Sequence, residues 1–331
     1  MDPIVLPANQ PADRFYRGGS RISRFRGVEA SGHRTPEDWV ASTTSVRGHA
    51  ELGQSRLPSG ELLTEAIGRD PIAWLGRDHV DRFGVDTKLL VKLLDAGQRL
   101  PVHAHPDAAF AARHGLAEHG KAEAWYILTP GEVHIGLRRD IAPADLADLV
   151  DRQDVEGLLA LLHRVPVTPH DTVYVPPGTL HAIGEGVLLA EVQEPEDLSI
   201  LLEWKGFEIG GSVEGHLGVG FEAALRAVDT KELSEDALAG LVQRGERFGS
   251  VLPSSSREFF ALERVRVIAE TRCEPGFAVL VFHSGGMELA PENGRSRWVE
   301  NGSTVVVPHD AGAFVLRGAG SVLIARPPRA A

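Results

Sequence analysis

Three histidines and one glutamate carry the clearest chemical signal in this 331-residue chain. His103 and His105 stand two apart in a stretch of strand character, so both rings project to one face. Glu123 follows in KAEAWYIL, where it shares a face with Trp125 and Ile127. A carboxylate among such neighbours is costly to bury unless it meets a cation. His181 comes after the turn PPGTLH, in which Pro177 and Gly178 reverse the chain. Imidazole and carboxylate without sulfur make a ligand set for one divalent ion, with zinc as the first candidate and manganese, iron, cobalt or nickel as alternatives. Cys273 is the sole cysteine, which excludes a Cys-rich site and an intramolecular disulfide.

The elements that must position these residues are mostly short strands. Residues 1 to about 60 are rich in Gly, Arg and Ser, with an extended stretch at 39–45. The segment 62–83 has helical character, interrupted by Gly68 and the Asp70-Pro71 step. Strands begin at Leu89, and AEAWYILTPGEVHIGLR reads as a hairpin about Pro130-Gly131. Residues 142–165 carry Leu146, Leu149, Val150, Val155, Leu158, Leu159 and Leu162 on a helical period, which predicts two short inserted helices. Strands resume through LLAEVQ and LSILLEW, helices are expected again within 216–245, and from Glu258 to Pro328 strand follows strand. Such spacing predicts a mainly β fold of two jelly-roll β-barrels with helical insertions. The expected division is 1–205, holding the metal residues and the helical insert, and 206–331.

Bulk composition narrows the partners. Forty-six acidic against 34 basic residues give a net charge of −12, so neither nucleic acid nor an anionic membrane is an expected partner. No window approaches the ~18 apolar residues of a membrane span, and the opening residues lack the apolar run of a signal peptide. The expectation is a soluble cytoplasmic protein, monomer or homodimer, acting on a small molecule.

The order H-x-H, E, P-x-G-x-x-H resembles the double motif of the cupin superfamily, in which three histidines and a glutamate bind one divalent metal inside a barrel. The wider sequence resembles the type I phosphomannose isomerase family, through RGGSRISRFRG, EDWVAS, LLVKLLDAGQRLPVHAHPD, GKAEAWYIL and the stretch DVEGLLALLHRVPVTPHDTVYVPPGTLHAI. The resemblance implies His103, His105, Glu123 and His181 as metal ligands and Glu191, in LLAEVQ, as an active-site glutamate. It also implies that Lys92 and Lys121 face the substrate. The chain departs from the family pattern at three positions: His103 stands for a glutamine, Pro101 for a serine, and Leu201 for an arginine. Lys205, four residues on, is a candidate replacement for the lost cation. The second half carries a degenerate version of the motif, with Phe314 near the ligand position and His283 alone in its strand.

These features imply a metal-dependent aldose–ketose isomerase working through an enediol on a hexose 6-phosphate or a related free sugar. Glu191 would move the proton, and burial in an apolar strand would raise its pKa toward a useful value. Lys121 would stabilise charge or anchor a substrate oxygen. Trp39 and Trp125 offer indole faces to a sugar ring. Asp197 and Lys205 read as surface charges, and His114, His119 and His134 have no assigned role. Two other functions fit the same residues: a cupin dioxygenase, favoured by the third histidine, and a non-catalytic sugar-binding protein.

Overall fold

Alternating apolar residues between Gly and Pro turns fold into four antiparallel sheets in a computed structural model that describes residues 1–329. The first sheet has six strands in the order Val242–Gln243, Thr172–Val175, Glu123–Ile127, Leu188–Gln193, Leu90–Asp95, Glu37–Val40. Facing it is a five-stranded sheet ordered Ile200–Leu201, His103–Ala104, His181–Ile183, Gly131–Leu137, Leu162–Val167. Trp125, Ile127, Val173 and Leu189 of the first sheet meet Val133, Ile135, Val165 and Ile183 of the second in one core. The second half repeats the arrangement. A six-stranded sheet containing Ala278–Ser284 and Gly320–Arg326 faces a four-stranded one containing Met287–Pro291 and Phe314–Gly318.

The two halves meet sheet against sheet. Val91, Ala124, Ala190 and Val192, on the outer face of the first sheet, pack on Leu262, Val279, Val281 and Leu323 of the third. The strand Leu90–Asp95 is therefore buried on both faces, and every residue in it is buried. Such strands lose the simple alternation of apolar and polar residues, which is why LLVKLLD reads as a continuous run. Two short segments cross between the halves: Ile4–Leu6 pairs with Thr304–Val307, and Val242–Gln243 with Thr172–Val175.

The mainly β reading holds, with three local corrections. The Pro130-Gly131 turn does not close a hairpin: Glu123–Ile127 pairs with its neighbours in the first sheet and Gly131–Leu137 in the second. The turn carries the chain between facing sheets. The helical insert ends earlier than expected, as Pro143–Asp151 and Val155–Ala160. Leu162–Val167 is a strand whose Val165 and Val167 face the core between the sheets while Leu162 packs under the inserted helices, and pairing with Gly131–Leu137 overrides the Leu158/Leu162 helical spacing. In the segment 62–83 the breaks fall at Asp70, where the carboxylate accepts from Ala73 N at 3.2 Å and Pro71 opens the next helix, and at Gly76, which takes φ +89 between Pro71–Leu75 and Arg77–Phe83. Gly68 stays inside Leu63–Arg69. The inserted helices cover the outer face of the second sheet, with Leu146, Val150 and Leu158 against Ala104, Ala182 and Ile200. Among the described residues no helix is long and apolar enough to cross a membrane.

His119 joins two loops at the edge of the first half. Its imidazole bonds Asp86 Oδ2 at 2.7 Å and Glu196 Oε1 at 3.0 Å. Partial burial opposes the charged ring, but the two carboxylates outweigh it and raise its pKa from 6.5 to about 9. A raised histidine pKa stabilises the fold fully below the unfolded value and loses that contribution as pH rises through the folded one. The wild type is expected to lose melting temperature between pH 6.5 and 9. A His119→Gln variant should show a flatter profile there by scanning calorimetry.

Candidate metal centre and its cavity

The second sheet sets two of the histidines side by side. His103 and His181 are direct cross-strand partners, with ring centroids 4.0 Å apart. His105 lies just past the short strand His103–Ala104, and its ring sits 4.9 Å from that of His181. The turn before His181 is anchored to the same segment, because Gly178 N donates to His105 O at 2.7 Å. Gly178 takes φ +84, a conformation that L side chains rarely adopt. Glu123 enters from the opposite sheet, at the edge of the row that holds Gln193 and Val175.

Backbone carbonyls fix the direction of all three rings. His103 Nδ1 donates to Pro101 O at 2.8 Å, His105 Nδ1 to Leu198 O at 2.6 Å, and His181 Nδ1 to Thr179 O at 2.8 Å. A carbonyl has no proton to give, so each Nδ1 carries the hydrogen and each Nε2 is left with a lone pair. One ring nitrogen from each of the three lies within 4.8 Å of the others. His105 Nε2 is 2.9 Å from Glu123 Oε2, and His181 Nε2 is 3.2 Å from Glu123 Oε1. These are lone pairs facing a carboxylate with no proton between them. Lys121 Nζ reaches in to 3.0 Å from His105 Nε2 and 3.1 Å from Glu123 Oε2. His181 Nε2 and Glu123 Oε2 remain buried without a hydrogen-bond partner.

The charge states suit a cation. Burial and the neighbouring His181 and His105 rings hold His103 well below its ordinary pKa, and burial and Lys121 take His105 down to about 3. Burial opposes ionisation of Glu123, but Lys121, His105 and His181 hold its pKa well below the ordinary value. Neutral imidazoles with inward lone pairs, beside an ionised carboxylate, fit a divalent metal.

The metal-type cluster opens into a cavity of about 560 Å³, within the range of small-molecule sites. His103, Glu123, Lys121, Lys92 and Glu191 all line it. Register explains why: Lys92 and Glu191 are cross-strand partners, with Trp39 and Trp125 on either side of them in one row of the first sheet. Lys92 does not snorkel to solvent. Its Nζ lies 3.5 Å from Glu191 Oε1 and 3.9 Å from Glu37 Oε2, and these acids raise its pKa against the effect of burial. Burial and Glu123 raise the pKa of Glu191, with Lys92 and Lys121 offsetting part of the effect.

Three expected substrate contacts, Trp39, Trp125 and Lys205, fall elsewhere; Trp125 is wholly buried, with its indole N–H donating to Glu123 Oε1 at 3.1 Å. Trp39 is wholly buried behind Lys92, its ring 4.7 Å from the ammonium and its indole N–H donating to Glu37 Oε2 at 2.6 Å. That N–H needs a buried acceptor, so the ring serves the core instead of the cavity wall. Lys205 is exposed in the turn after Trp204 and does not line the cavity. Leu201 does line it, opposite His103, and Pro101 contributes the carbonyl that orients His103.

The cavity also holds residues that the sequence reading passed over. Asp197, expected as a surface charge, faces inward and lies 3.5 Å from Arg14. Arg14 also lies 3.6 Å from Glu37, whose pKa Arg14 and Lys92 bring down to about 2 against burial. Tyr16 donates to Glu37 Oε1 at 2.5 Å. Arg14 and Tyr16 come from the irregular N-terminal segment, which Asp95 secures by accepting from Gly19 N and Arg21 N at 2.8 and 2.9 Å. No periodicity announced that segment. The available signals were RGGSRISRFRG, which contains Gly19 and Arg21, and EDWVAS, which contains Glu37.

Comparison with known proteins supplies the frame. No family model matches the chain. It is 34% identical over 188 residues to the mannose-6-phosphate isomerase ManA of Bacillus subtilis (strain 168), covering 56% of each chain. It is 32% identical over 187 residues to the mannose-6-phosphate isomerase of Streptococcus mutans, covering 54% of each. The matched stretch thus spans about half the length of these curated relatives. Among solved structures, mannose 6-phosphate isomerase from Bacillus subtilis superposes with a TM-score of 0.74 at 23% identity, covering 98% of this chain and 100% of the other. A point mutant of phosphomannose isomerase from Salmonella typhimurium gives 0.76 at 15% identity, covering 99% and 100%.

Metal loading should be visible without any assay of turnover. The purified protein is expected to hold one divalent ion per chain by elemental analysis, and to lose melting temperature on chelation. Glu123→Gln and His181→Ala should each weaken metal binding by at least the ~10–100-fold that loss of an outer partner costs. An unchanged chelator response in both variants would remove these residues from the site. The curated relatives and structural neighbours of this chain are mannose-6-phosphate isomerases, and its fold is the fold of that cupin family.

Proposed function

We propose that this chain is a metal-dependent aldose–ketose isomerase acting on a hexose or its 6-phosphate, with zinc as the first candidate metal. The observation that carries the reading is the buried pair Lys92–Glu191 on the wall of the cavity that His103 and Glu123 of the metal-type cluster also line. Isomerisation moves a proton between adjacent carbons through an enediol, and needs both an acid/base and a means of stabilising negative charge on oxygen. His103, His105, His181 and Glu123 would hold a divalent ion, which supplies Lewis-acid stabilisation of that charge.

The chain's own groups do the rest. Glu191 takes the proton from C2 of the aldose and returns it to C1 while the hydroxyl proton passes from O2 to O1, and its upward-shifted pKa brings a carboxylate closer to the range where it both accepts and donates. Lys92 holds Glu191 in place at 3.5 Å and limits how far that pKa rises. Lys121, beside Glu123, carries protons that can be shared with a substrate oxygen. The surrounding apolar core and the facing sheets exclude bulk water from this row, which strengthens each of these interactions.

Glu191→Gln keeps the shape of the side chain but cannot move a proton. It is expected to lower kcat by ~10²–10⁴-fold, while metal content and melting temperature stay near wild type. Exchange of solvent deuterium into the substrate at C2 should fall in parallel, and turnover should consume no oxygen. Retention of kcat by this variant would remove Glu191 from the proton-transfer role.

A further inference from the structure

The buried bases of the cavity are already committed to buried or nearly buried acids. Lys92 lies between Glu37 and Glu191, Lys121 against Glu123, and Arg14 between Glu37 and Asp197. The acids outnumber the bases in this inner group. Toward the mouth the lining carries Asp13, Glu208 and Glu214, all exposed, against Arg47. The Arg47 guanidinium donates to Leu217 O at 3.2 Å and makes no carboxylate ion pair among the described residues. Across the whole lining four Lys and Arg side chains face seven carboxylates, with His49 and His103 as the imidazoles, so with both rings neutral a bound divalent ion still leaves one negative charge. Protonating Glu191 for part of the cycle moves that total only to zero.

A phosphate dianion entering such a cavity would find one uncommitted monocation and three carboxylates beside it. An uncharged polyol meets the opposite situation, because each carboxylate accepts a hydrogen bond from a hydroxyl and charge-assisted bonds of this kind are the strong ones. We propose that the site takes an unphosphorylated sugar in preference to its phosphate ester, selecting against the anion by the acidic rim of Asp13, Glu208 and Glu214. This rests on the isomerase reading above and narrows its substrate class.

The sign of the salt dependence tests it. Repulsion between like charges is screened by salt, whereas a neutral ligand is indifferent to it. Metal-loaded protein is assayed with free aldohexoses and with their 6-phosphates at low and high ionic strength. The free sugar is expected to have the higher kcat/KM, on the order of tenfold or more, with a KM that does not change with salt. The 6-phosphate KM should fall as salt rises. In a Glu208→Gln/Glu214→Gln double variant, whose sites are exposed, the 6-phosphate KM should be lower than in wild type and its salt slope flatter. A 6-phosphate that is the better substrate, with a KM rising with salt, overturns the proposal while leaving the isomerase reading intact. If neither sugar is turned over, the isomerase reading fails. Calorimetric titration with mannitol and with mannitol 1-phosphate then decides the ligand class: tighter binding of the neutral polyol upholds it, and tighter binding of the phosphate, or no binding of either, overturns it.

Discussion

Three backbone carbonyls decide what the centre of this protein can be. By accepting from the Nδ1 of His103, His105 and His181, the oxygens of Pro101, Leu198 and Thr179 turn three lone pairs inward. Glu123 then brings negative charge to the same point from the facing sheet. Neither arrangement is stable by itself in a dry interior, since every group in it is a proton acceptor. The second sheet must hold its strands in register for the rings to converge, and the first must face it for Glu123 to arrive. A cation is the natural partner of that geometry, and Lys121 is the chain's own nearest approach to one.

The polar row in the first sheet extends the same logic. Lys92 and Glu191 are opposite one another on central strands, where a lone charge of either sign would be costly. Each moderates the other, and Glu37 ties the pair to Arg14 and Tyr16 on the N-terminal segment. Removing one member leaves others unpaired, so the site behaves as a connected network more than as separate residues. That is why Asp197 belongs to it despite lying in a loop.

Much of the centre was legible in the chain because its signals are local. H-x-H, the Glu in an apolar strand and the P-x-G turn each carry their meaning within a few residues. Their order then matched a known pattern. Lys92 and Glu191 were singled out by resemblance alone, and strand register supplies the physical reason for their pairing. The misses are nonlocal. Arg14 sits in a segment without period, held by Asp95 from a distant strand. Trp39 looked like a sugar platform because sequence shows that an indole is present but not where its N–H must be satisfied. The Pro130-Gly131 turn was misread because a hairpin and a crossover between facing sheets have the same local sequence. Leu162 kept a helical spacing that cross-strand pairing overrode.

The third sheet packs against the back of the strands that carry Lys92 and Glu191. A charge moved in the cavity must be accommodated by dipoles that are already oriented, since the wall behind them is close-packed and slow to yield. The second half thus acts as ballast: its third sheet holds the strands of the cavity wall in place from behind. Its own interior has no need of polar chemistry to do this, only of constant volume. Phe314 and Met287, filling the core between its two sheets, meet that need.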